Sequence, residues 1–318
     1  MPATHGCVAR EGRTPRRKGA RYNAAMRIWD VIREFFAGWG IRRAEGACHS
    51  YQTMSGPAHV YEMVYDDGKP VRVIRVQGTF QSATYIDDDE CYELVFAYHR
   101  AYNAVFEAAD AAHPVRRVAM LGGGGFSYPK YLIAHHPDVS VDVVEIDPMM
   151  VSLARRWFYL DRLEIEFETE ENDRLHIFTE DARRFLEETS ERYDVILNDC
   201  FVARTPVMSL ATIEAVRAIA ARLNEGGLYL TNVISALRGE RAELLHAVMR
   251  TLGQVFSHVY VLPGSEGLPR LVDNYVVVAS NRALDLAHVI DVEPTTGEGV
   301  LHDALIEQYE RDFYLEDV

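Results

Sequence analysis

The feature that most constrains this chain is a run of four glycines placed directly after a predicted strand. Val118–Leu121 is apolar, Gly122–Gly125 follows it, and the next apolar segment ends at Glu145 and Asp147. A strand, a glycine loop, a helix and a second strand that ends in an acid build a ligand pocket at the carboxyl edge of a parallel sheet. Glycines let the backbone approach a ligand, and the acid can accept hydrogen bonds from a ribose diol. The pattern therefore predicts a site for a nucleoside-bearing cofactor.

Strand and helix patterns alternate after residue 110. Strands are predicted at 115–121, 139–146, 175–179, 193–198 and 228–233, and helices at 128–135, 148–159, 182–188, 209–223 (with Ser209 as N-cap) and 239–255. Two short strands, 258–262 and 275–280, are joined without a helix and predict an antiparallel edge. This alternation indicates an α/β fold with a Rossmann-like parallel sheet and helices on both faces.

A different pattern precedes this region. Val60–Tyr65 and Val71–Val76 flank an Asp-Asp-Gly turn and predict a β-hairpin, which Gly78–Ala83 extends by a third strand. Amphipathic helices are predicted at 26–44 and 89–109. We expect a disordered basic tail over 1–25, an N-terminal helix and β-hairpin subdomain over 26–110, and a nucleoside-binding catalytic domain over 111–318. Met26 is an alternative start to Met1.

Composition narrows the classes of partner. Asp plus Glu number 48 and Lys plus Arg 33, which gives a net charge of −15. An acidic chain argues against nucleic acid as a partner and would attract a cationic small molecule, although solubility alone explains the same charge. The four cysteines form no C-x-x-C pair, and no metal-ligand spacing appears. No apolar run approaches the roughly 18 residues of a membrane span, so a cytoplasmic protein without a membrane partner is expected.

Three acids follow predicted strands at the edge that carries the glycine loop. Glu145 comes 23 residues after Gly122, close to the spacing of about 20 expected for a ribose-binding acid. Asp147 is placed to cap the helix that begins at Pro148, which leaves Glu145 for the ligand. Asp181 could accept a hydrogen bond from an adenine amino group while capping the next helix. Asp199 ends the fourth strand, where it could abstract a proton or hold an ammonium group.

These residues, in this order, resemble the spermidine synthase (polyamine aminopropyltransferase) family, within the superfamily of methyltransferases that bind S-adenosylmethionine. The resemblance covers about residues 48–280, and its marks are Ser50–Gln52, Gly78–Ser82, the glycine loop, Val144–Asp147, Glu180–Ala182 and Tyr193–Asp199. It implies a homodimer, Asp199 as the catalytic aspartate, and S-adenosylmethionine or its decarboxylated form as cofactor. By this resemblance, the cofactor-binding residues are Gln52, Gly122, Gly123, Gly124, Glu145, Ile146, Asp181 and Ala182.

Three departures from the family pattern affect the amine end of the site. Gly125 stands where the family carries an Asp that helps to hold the aminopropyl end. The segment after Asp199 lacks the family's second amine-holding Asp. The family's Tyr-His-Glu is reduced to Tyr92-Glu93, without its histidine. The resemblance therefore keeps the nucleoside half of the site and erodes the polyamine half.

Several functions stay open on these grounds. The first is aminopropyl transfer to an amine with Asp199 as the base, and the second is methyl transfer from S-adenosylmethionine to an unknown small molecule. The third is a non-catalytic nucleoside-binding homologue. A nicotinamide dehydrogenase is disfavoured, because Ser127 stands at the third glycine of the dinucleotide fingerprint. The hypothetical lining of the acceptor pocket is Phe126, Cys200, Phe201 and Tyr275.

Overall fold

The computed structural model describes residues 42–43, 47–202, 205–265, 272–292 and 299–313. The tail predicted over 1–25 and most of the helix predicted over 26–44 lie outside these residues. The end of that helix prediction is wrong, because Arg42–Arg43 forms a short strand. No helix in the described ranges is long and apolar enough to cross a bilayer.

An antiparallel sheet forms the N-terminal part of the fold. Its strands are β1 (Arg42–Arg43), β2 (His49–Thr53), β3 (Gly56–Val64), β4 (Pro70–Val76) and β5 (Thr79–Tyr85). The strand order is β1-β3-β4-β5, and β2 also pairs with β3. The predicted hairpin and third strand are confirmed. Strand β2 was not predicted, because only Thr53 among its residues is buried and the segment therefore carries little apolar signal.

The second sheet has seven strands. They are β6 (Arg117–Leu121), β7 (Ser140–Val144), β8 (Leu175–Phe178), β9 (Tyr193–Asn198), β12 (Leu223–Ser235), β13 (His258–Pro263) and β14 (Asp273–Ser280), and a separate ribbon pairs β10 (Phe201–Val202) with β11 (Thr205–Pro206). The order is β13-β14-β12-β9-β6-β7-β8, with β14 antiparallel to both of its neighbours. The predicted parallel sheet with an antiparallel edge is confirmed. Strand order reverses between β6 and β9, which is where α/β sheets bind their ligands.

Helices connect these strands. They are α1 (Ala97–Ala101), α2 (Ala104–Glu107), α3 (Ser127–His135), α4 (Pro148–Trp157), α5 (Leu160–Glu166), α6 (Ala182–Glu188), α7 (Ile213–Arg222), α8 (Glu243–Leu252) and α9 (Ile306–Asp312). The single helix predicted over 89–109 is wrong, since turns occupy its first part and two short helices the rest. The cap predicted at Ser209 is also wrong: α7 begins after Thr212, whose hydroxyl accepts the Ala215 N–H.

The seven-stranded sheet is buried on both faces. Alternate residues of β6 point to opposite sides, so that Val118 and Met120 pack with α3, α4 and α5 while Ala119 and Leu121 pack with α6, α7 and α8. Burial on both faces explains why its strands read as continuous apolar runs in the sequence.

Strand β5 of the first sheet is hydrogen-bonded to the glycine loop and α3 of the second. Three consecutive β5 residues each bind one residue there: Gly125 N–H donates to Ser82 Oγ (2.8 Å), Ser127 Oγ to the Ala83 carbonyl (3.0 Å) and Lys130 Nζ to Thr84 Oγ1 (3.3 Å). We call these three contacts the seam. The seam fixes the position of the N-terminal sheet against the loop.

A buried carboxylate joins three strands at the opposite end of the seven-stranded sheet. Asp142 on β7 accepts hydrogen bonds from the Tyr193 hydroxyl (2.7 Å) and the Arg117 guanidinium (3.2 Å), and His176 Nδ1 lies 2.8 Å from its Oδ1. Its side chain is 2% exposed. The fold therefore depends on Asp142 to satisfy donors on both neighbouring strands.

We expect Asp142→Asn to lower the free energy of unfolding by about 2–3 kcal/mol, because it removes the charge that these donors share. Urea denaturation measures the change. Asp173→Asn is the matched control: it also contacts His176, but its side chain is 89% exposed, so a change under about 0.5 kcal/mol is expected. Equal losses in the two variants would contradict this role of Asp142.

The same cluster makes stability depend on pH. Burial lowers the pKa of His176, but its hydrogen bonds to Asp173 and Asp142 outweigh burial and raise the pKa above its ordinary value. A raised folded-state pKa stabilises the fold below the unfolded pKa, and the contribution is lost as pH rises through the folded pKa. His176→Gln should therefore destabilise the protein more at about pH 6 than at about pH 8.5. Urea titrations at both pH values test this, and a penalty that does not change with pH would refute it.

Candidate functional site

A cavity of about 270 Å³ lies at the carboxyl edge of the seven-stranded sheet. Most of the predicted site residues line it together: Gly122, Gly123, Gly124, Glu145, Ile146, Asp181, Ala182 and Asp199. Gln52 does not line the cavity. Its side chain is exposed on β2 and donates to the Thr53 carbonyl at 3.3 Å. The N-terminal sheet instead contributes Gln81 and Ser82 to the wall.

Glu145 holds the glycine loop in place. Its Oε2 accepts the N–H groups of Gly123 and Gly124, each at 2.9 Å, and its Oε1 accepts the Asp147 N–H at 3.0 Å. The residue is 8% exposed. Burial raises the pKa of Glu145, and the three backbone N–H groups oppose that shift by stabilising the carboxylate. The loop amides therefore bind a protein carboxylate, whose remaining lone pairs face the cavity edge.

The two neighbouring acids cap helices, as predicted. Asp147 Oδ1 accepts the Met149 N–H at 2.8 Å and caps α4, while its Oδ2 accepts the Met54 N–H at 2.6 Å. The second bond attaches the β2–β3 turn to the cavity rim. Asp181 caps α6 by accepting the Arg184 N–H at 3.0 Å, and it is otherwise exposed at the cavity. Capping therefore leaves the Asp181 carboxylate accessible to a ligand.

Asp199 lies directly after β9, where three side chains contact its carboxylate. Its Oδ1 accepts the Asn232 amide at 3.0 Å and its Oδ2 the Tyr98 hydroxyl at 3.2 Å, while His99 Nε2 lies 3.4 Å from Oδ2. The Asp199 side chain is 13% exposed. Burial, together with the Asp199 charge, raises the pKa of Tyr98 well above its ordinary value, so this tyrosine stays a hydrogen-bond donor. The arrangement orients one carboxylate at the cavity.

Tyr98, His99 and Asn232 were missed by the sequence analysis. The histidine missing from Tyr92-Glu93 has a counterpart nearby: a Tyr-His pair stands at Tyr98-His99, on the first turn of α1, and both side chains contact Asp199. The continuous helix predicted over 89–109 concealed the pair, because its spacing assigned Tyr98 to an apolar face. The consecutive Tyr and His were the available signal.

Two of the four residues predicted to line the acceptor pocket lie at the cavity. Cys200 and Phe201 line the cavity. Phe126 instead lies fully buried below the loop, and Tyr275 is buried in the core beside α8. Burial raises the pKa of the Cys200 thiol well above its ordinary value, which favours the protonated thiol.

Two of the glycines are required by close approach. Gly122 has φ +88°, and a Cβ there would lie 2.8 Å from the Asp199 carbonyl oxygen. A Cβ on Gly125 would lie 2.7 Å from the Ser82 Cβ and 2.9 Å from the Phe158 ring. Position 125 therefore has no room for a side chain. The Asp that the family carries at this position would overlap Ser82 and Phe158.

Comparison with known proteins assigns the class. The family model described as "Spermine/spermidine synthase domain" matches residues 96–280, which is more than half of the chain. The chain belongs to this family.

Individual relatives are distant. The chain is 32% identical over 122 residues to the polyamine aminopropyltransferase of Vibrio vulnificus, covering 37% of this chain and 38% of that protein. It is 27% identical over 203 residues to polyamine aminopropyltransferase 1 of Pseudomonas aeruginosa, covering 64% and 65%. These matches span less than two thirds of either relative. A probable spermidine synthase structure from Corynebacterium glutamicum shares the fold, with a TM-score of 0.60, 22% identity, and 83% and 93% of the two chains covered.

The Gly125 contacts generate a prediction. We expect Gly125→Ala to lower the free energy of unfolding by about 1–3 kcal/mol, because the added methyl overlaps Ser82 and Phe158. Gly253→Ala is the control, since that glycine has an ordinary helical φ of −64° and its nearest neighbour is 3.3 Å away. Thermal denaturation compares the two. A Gly125→Ala variant as stable as Gly253→Ala would mean that Ser82 and Phe158 can move apart to accommodate a methyl group.

Proposed function

We propose that this protein transfers the aminopropyl group of decarboxylated S-adenosylmethionine to an amine, with Asp199 as the base. The observation that carries the proposal is the Asp199 carboxylate, which three side chains orient inside the cavity that also holds Glu145 and Asp181. Family membership supports the same reaction class.

The nucleoside half of the cavity suits this donor. In our proposal Glu145 accepts hydrogen bonds from the ribose diol, and Asp181 accepts one from the adenine amino group. Ile146 is 48% exposed and lines the cavity, and Ala182, which follows Asp181 in the sequence, lines it too. In our proposal both residues supply apolar contact to the adenine ring. Gly122–Gly124 allow the ligand to approach the backbone. Gln52 is not part of the proposal because its side chain lies outside the cavity.

Two residues that contact Asp199 carry unsatisfied polar atoms. His99 Nδ1 and Asn232 Oδ1 are buried and have no hydrogen-bond partner within the described ranges. Buried polar atoms without partners are costly, so they favour a ligand or water with hydrogen-bonding groups near Asp199. An amine supplies N–H donors of this kind.

The chain's contribution to the reaction is alignment and one proton transfer. The donor supplies a carbon that its sulfonium sulfur activates. Asp199 would hold the attacking nitrogen in line with that carbon and accept the proton that the nitrogen loses as the carbon–nitrogen bond forms and the carbon–sulfur bond breaks, with the neutral thioether nucleoside as the leaving group. Tyr98 and Asn232 keep the carboxylate oriented. Positioning of this kind can supply several kcal/mol of the barrier reduction.

The proposal extends to the partners and organisation. A net charge of −15 suits a small cationic acceptor, and we propose a cytoplasmic homodimer without nucleic-acid or membrane partners. We also propose the division into an N-terminal subdomain up to residue 110 and a catalytic domain from 111.

Methyl transfer from S-adenosylmethionine is the second candidate. It is favoured by Gly125, where an acidic side chain is absent and the contacts of Ser82 and Phe158 leave no space for one. An acid there would repel the carboxylate of intact S-adenosylmethionine.

Calorimetric titration with S-adenosylmethionine and with its decarboxylated form separates these candidates. Tighter binding of the decarboxylated form is the expected result, and it would be followed by a screen of amine acceptors. Tighter binding of the intact form would favour methyl transfer. Absence of binding by both forms would overturn the proposed function.

Asp199→Asn tests the base. We expect its affinity for the decarboxylated form to stay within about threefold, because the nucleoside contacts are untouched, while turnover falls by about 10²–10⁴-fold. Asp173→Asn serves as the control because Asp173 is exposed and outside the cavity. Undiminished turnover in Asp199→Asn would show that this carboxylate is not the base, and bound ligand without turnover in the wild-type protein would indicate a non-catalytic homologue.

A further inference from the structure

A lysine without an acidic partner is buried beneath the glycine loop. Lys130 on α3 is 1% exposed. Its ammonium donates to the Phe158 carbonyl at 2.5 Å, and to the Cys91 carbonyl and Thr84 Oγ1 at 3.3 Å each. No carboxylate in the described part of the chain pairs with it. Three N–H donors thus meet three neutral acceptors, at a site where a buried charge is costly.

Two of the three acceptors of Lys130, Phe158 and Thr84, belong to the elements that enclose Gly125. Phe158 presses its ring against the position of a Gly125 Cβ, at 2.9 Å. Thr84 belongs to β5 and to the seam, in which Ser82 accepts the Gly125 N–H. Lys130 therefore binds two elements that hold the end of the glycine loop: the turn at Phe158, after α4, and strand β5.

We propose that Lys130 is a positioning residue for the glycine loop: its ammonium draws the Phe158 turn and β5 against Gly125 and so sets the loop amides on Glu145. Lys130 does not line the cavity. It acts through the loop and not by contact with a ligand.

The charge state of Lys130 gives this role a signature. Burial lowers its pKa to about 7. The titratable groups that face it are Cys91, on the connection after β5, and Arg72 on β4, and the Tyr159 ring lies 5.8 Å away. The ammonium has three N–H donors and the neutral amine two, so one of the three bonds is lost as pH rises through neutrality.

Local and global effects of this titration have opposite signs. In the unfolded chain the lysine stays protonated to about pH 10. Its lowered folded-state pKa therefore makes its contribution to global stability rise with pH above 7, while its hold on the loop weakens. A lysine with only a structural role would not loosen one loop over the pH range in which the whole fold becomes more stable.

Hydrogen–deuterium exchange, followed by mass spectrometry on the full chain, tests the proposal without any ligand. The loop peptide 121–127 is compared with the β9 peptide 193–198, after correction for intrinsic exchange. At about pH 6 we expect Lys130→Met to accelerate exchange of the loop about tenfold and to leave β9 unchanged. At about pH 8.5 the ratio between variant and wild type should shrink to about threefold or less. Lys69→Met is the control, since Lys69 is a half-exposed lysine in the turn between β3 and β4, paired with Glu90.

Unaltered loop exchange in Lys130→Met would overturn the proposal. Equal acceleration of the loop and β9 would also overturn it, because that pattern means general destabilisation. A variant-to-wild-type ratio that does not change with pH would refute the role of the ammonium.

A ligand arm connects the loop to binding, and this arm alone rests on the proposed function. Calorimetry with decarboxylated S-adenosylmethionine should show a Kd about tenfold weaker in Lys130→Met. An unchanged Kd, with a loosened loop, would overturn the link to binding. Failure of the wild-type protein to bind would instead sink the proposed function and leave the exchange result standing.

Discussion

One buried carboxylate fixes the geometry on which this site depends. Glu145 accepts three backbone N–H groups, two from the glycine loop after β6 and one from the turn after β7. Gly122 also brings the same loop close to the end of β9. A Cβ at this position would lie only 2.8 Å from the Asp199 carbonyl oxygen. The ends of three strands are therefore held relative to one another by two features: the hydrogen bonds to the Glu145 carboxylate and the lack of a side chain at Gly122.

All of these hydrogen bonds are made within the chain. A carboxylate already oriented by backbone donors presents its free lone pairs at a fixed place, so less ordering is needed when a hydroxyl arrives. The same principle operates at the other end of the cavity, where Tyr98 and Asn232 orient Asp199. The site thus consists of two fixed anions, one surrounded by backbone donors and the other by side-chain donors.

The sequence was sufficient for the parts of the site that follow one another along the chain. The strand pattern, the glycine run and the acids Glu145, Asp181 and Asp199 share one sheet edge, because parallel strands all end there. Tyr98, His99 and Asn232 could not be placed in this way, since they reach Asp199 from a short helix and from a strand far along the chain. Gln52 failed for the related reason that its strand was not recognised, and a period-2 register decides which side chains face the cavity. The lack of room at Gly125 depends on Ser82 and Phe158, and only tertiary structure shows it.

Through the seam, the N-terminal sheet helps to position the glycine loop of a cavity that it only partly lines. Strand β5 pairs with β4 through a register shift between Ile74 and Arg75, and this irregularity determines which β5 residues meet the glycine loop. Loss of one residue in that hairpin would present Ala83, and gain of one residue would present Gln81, where Ser82 now accepts the Gly125 N–H; either change would reverse the faces of β5. Changes in hairpin length among relatives are therefore a route by which ligand preference can diverge while every residue of the cavity edge is retained.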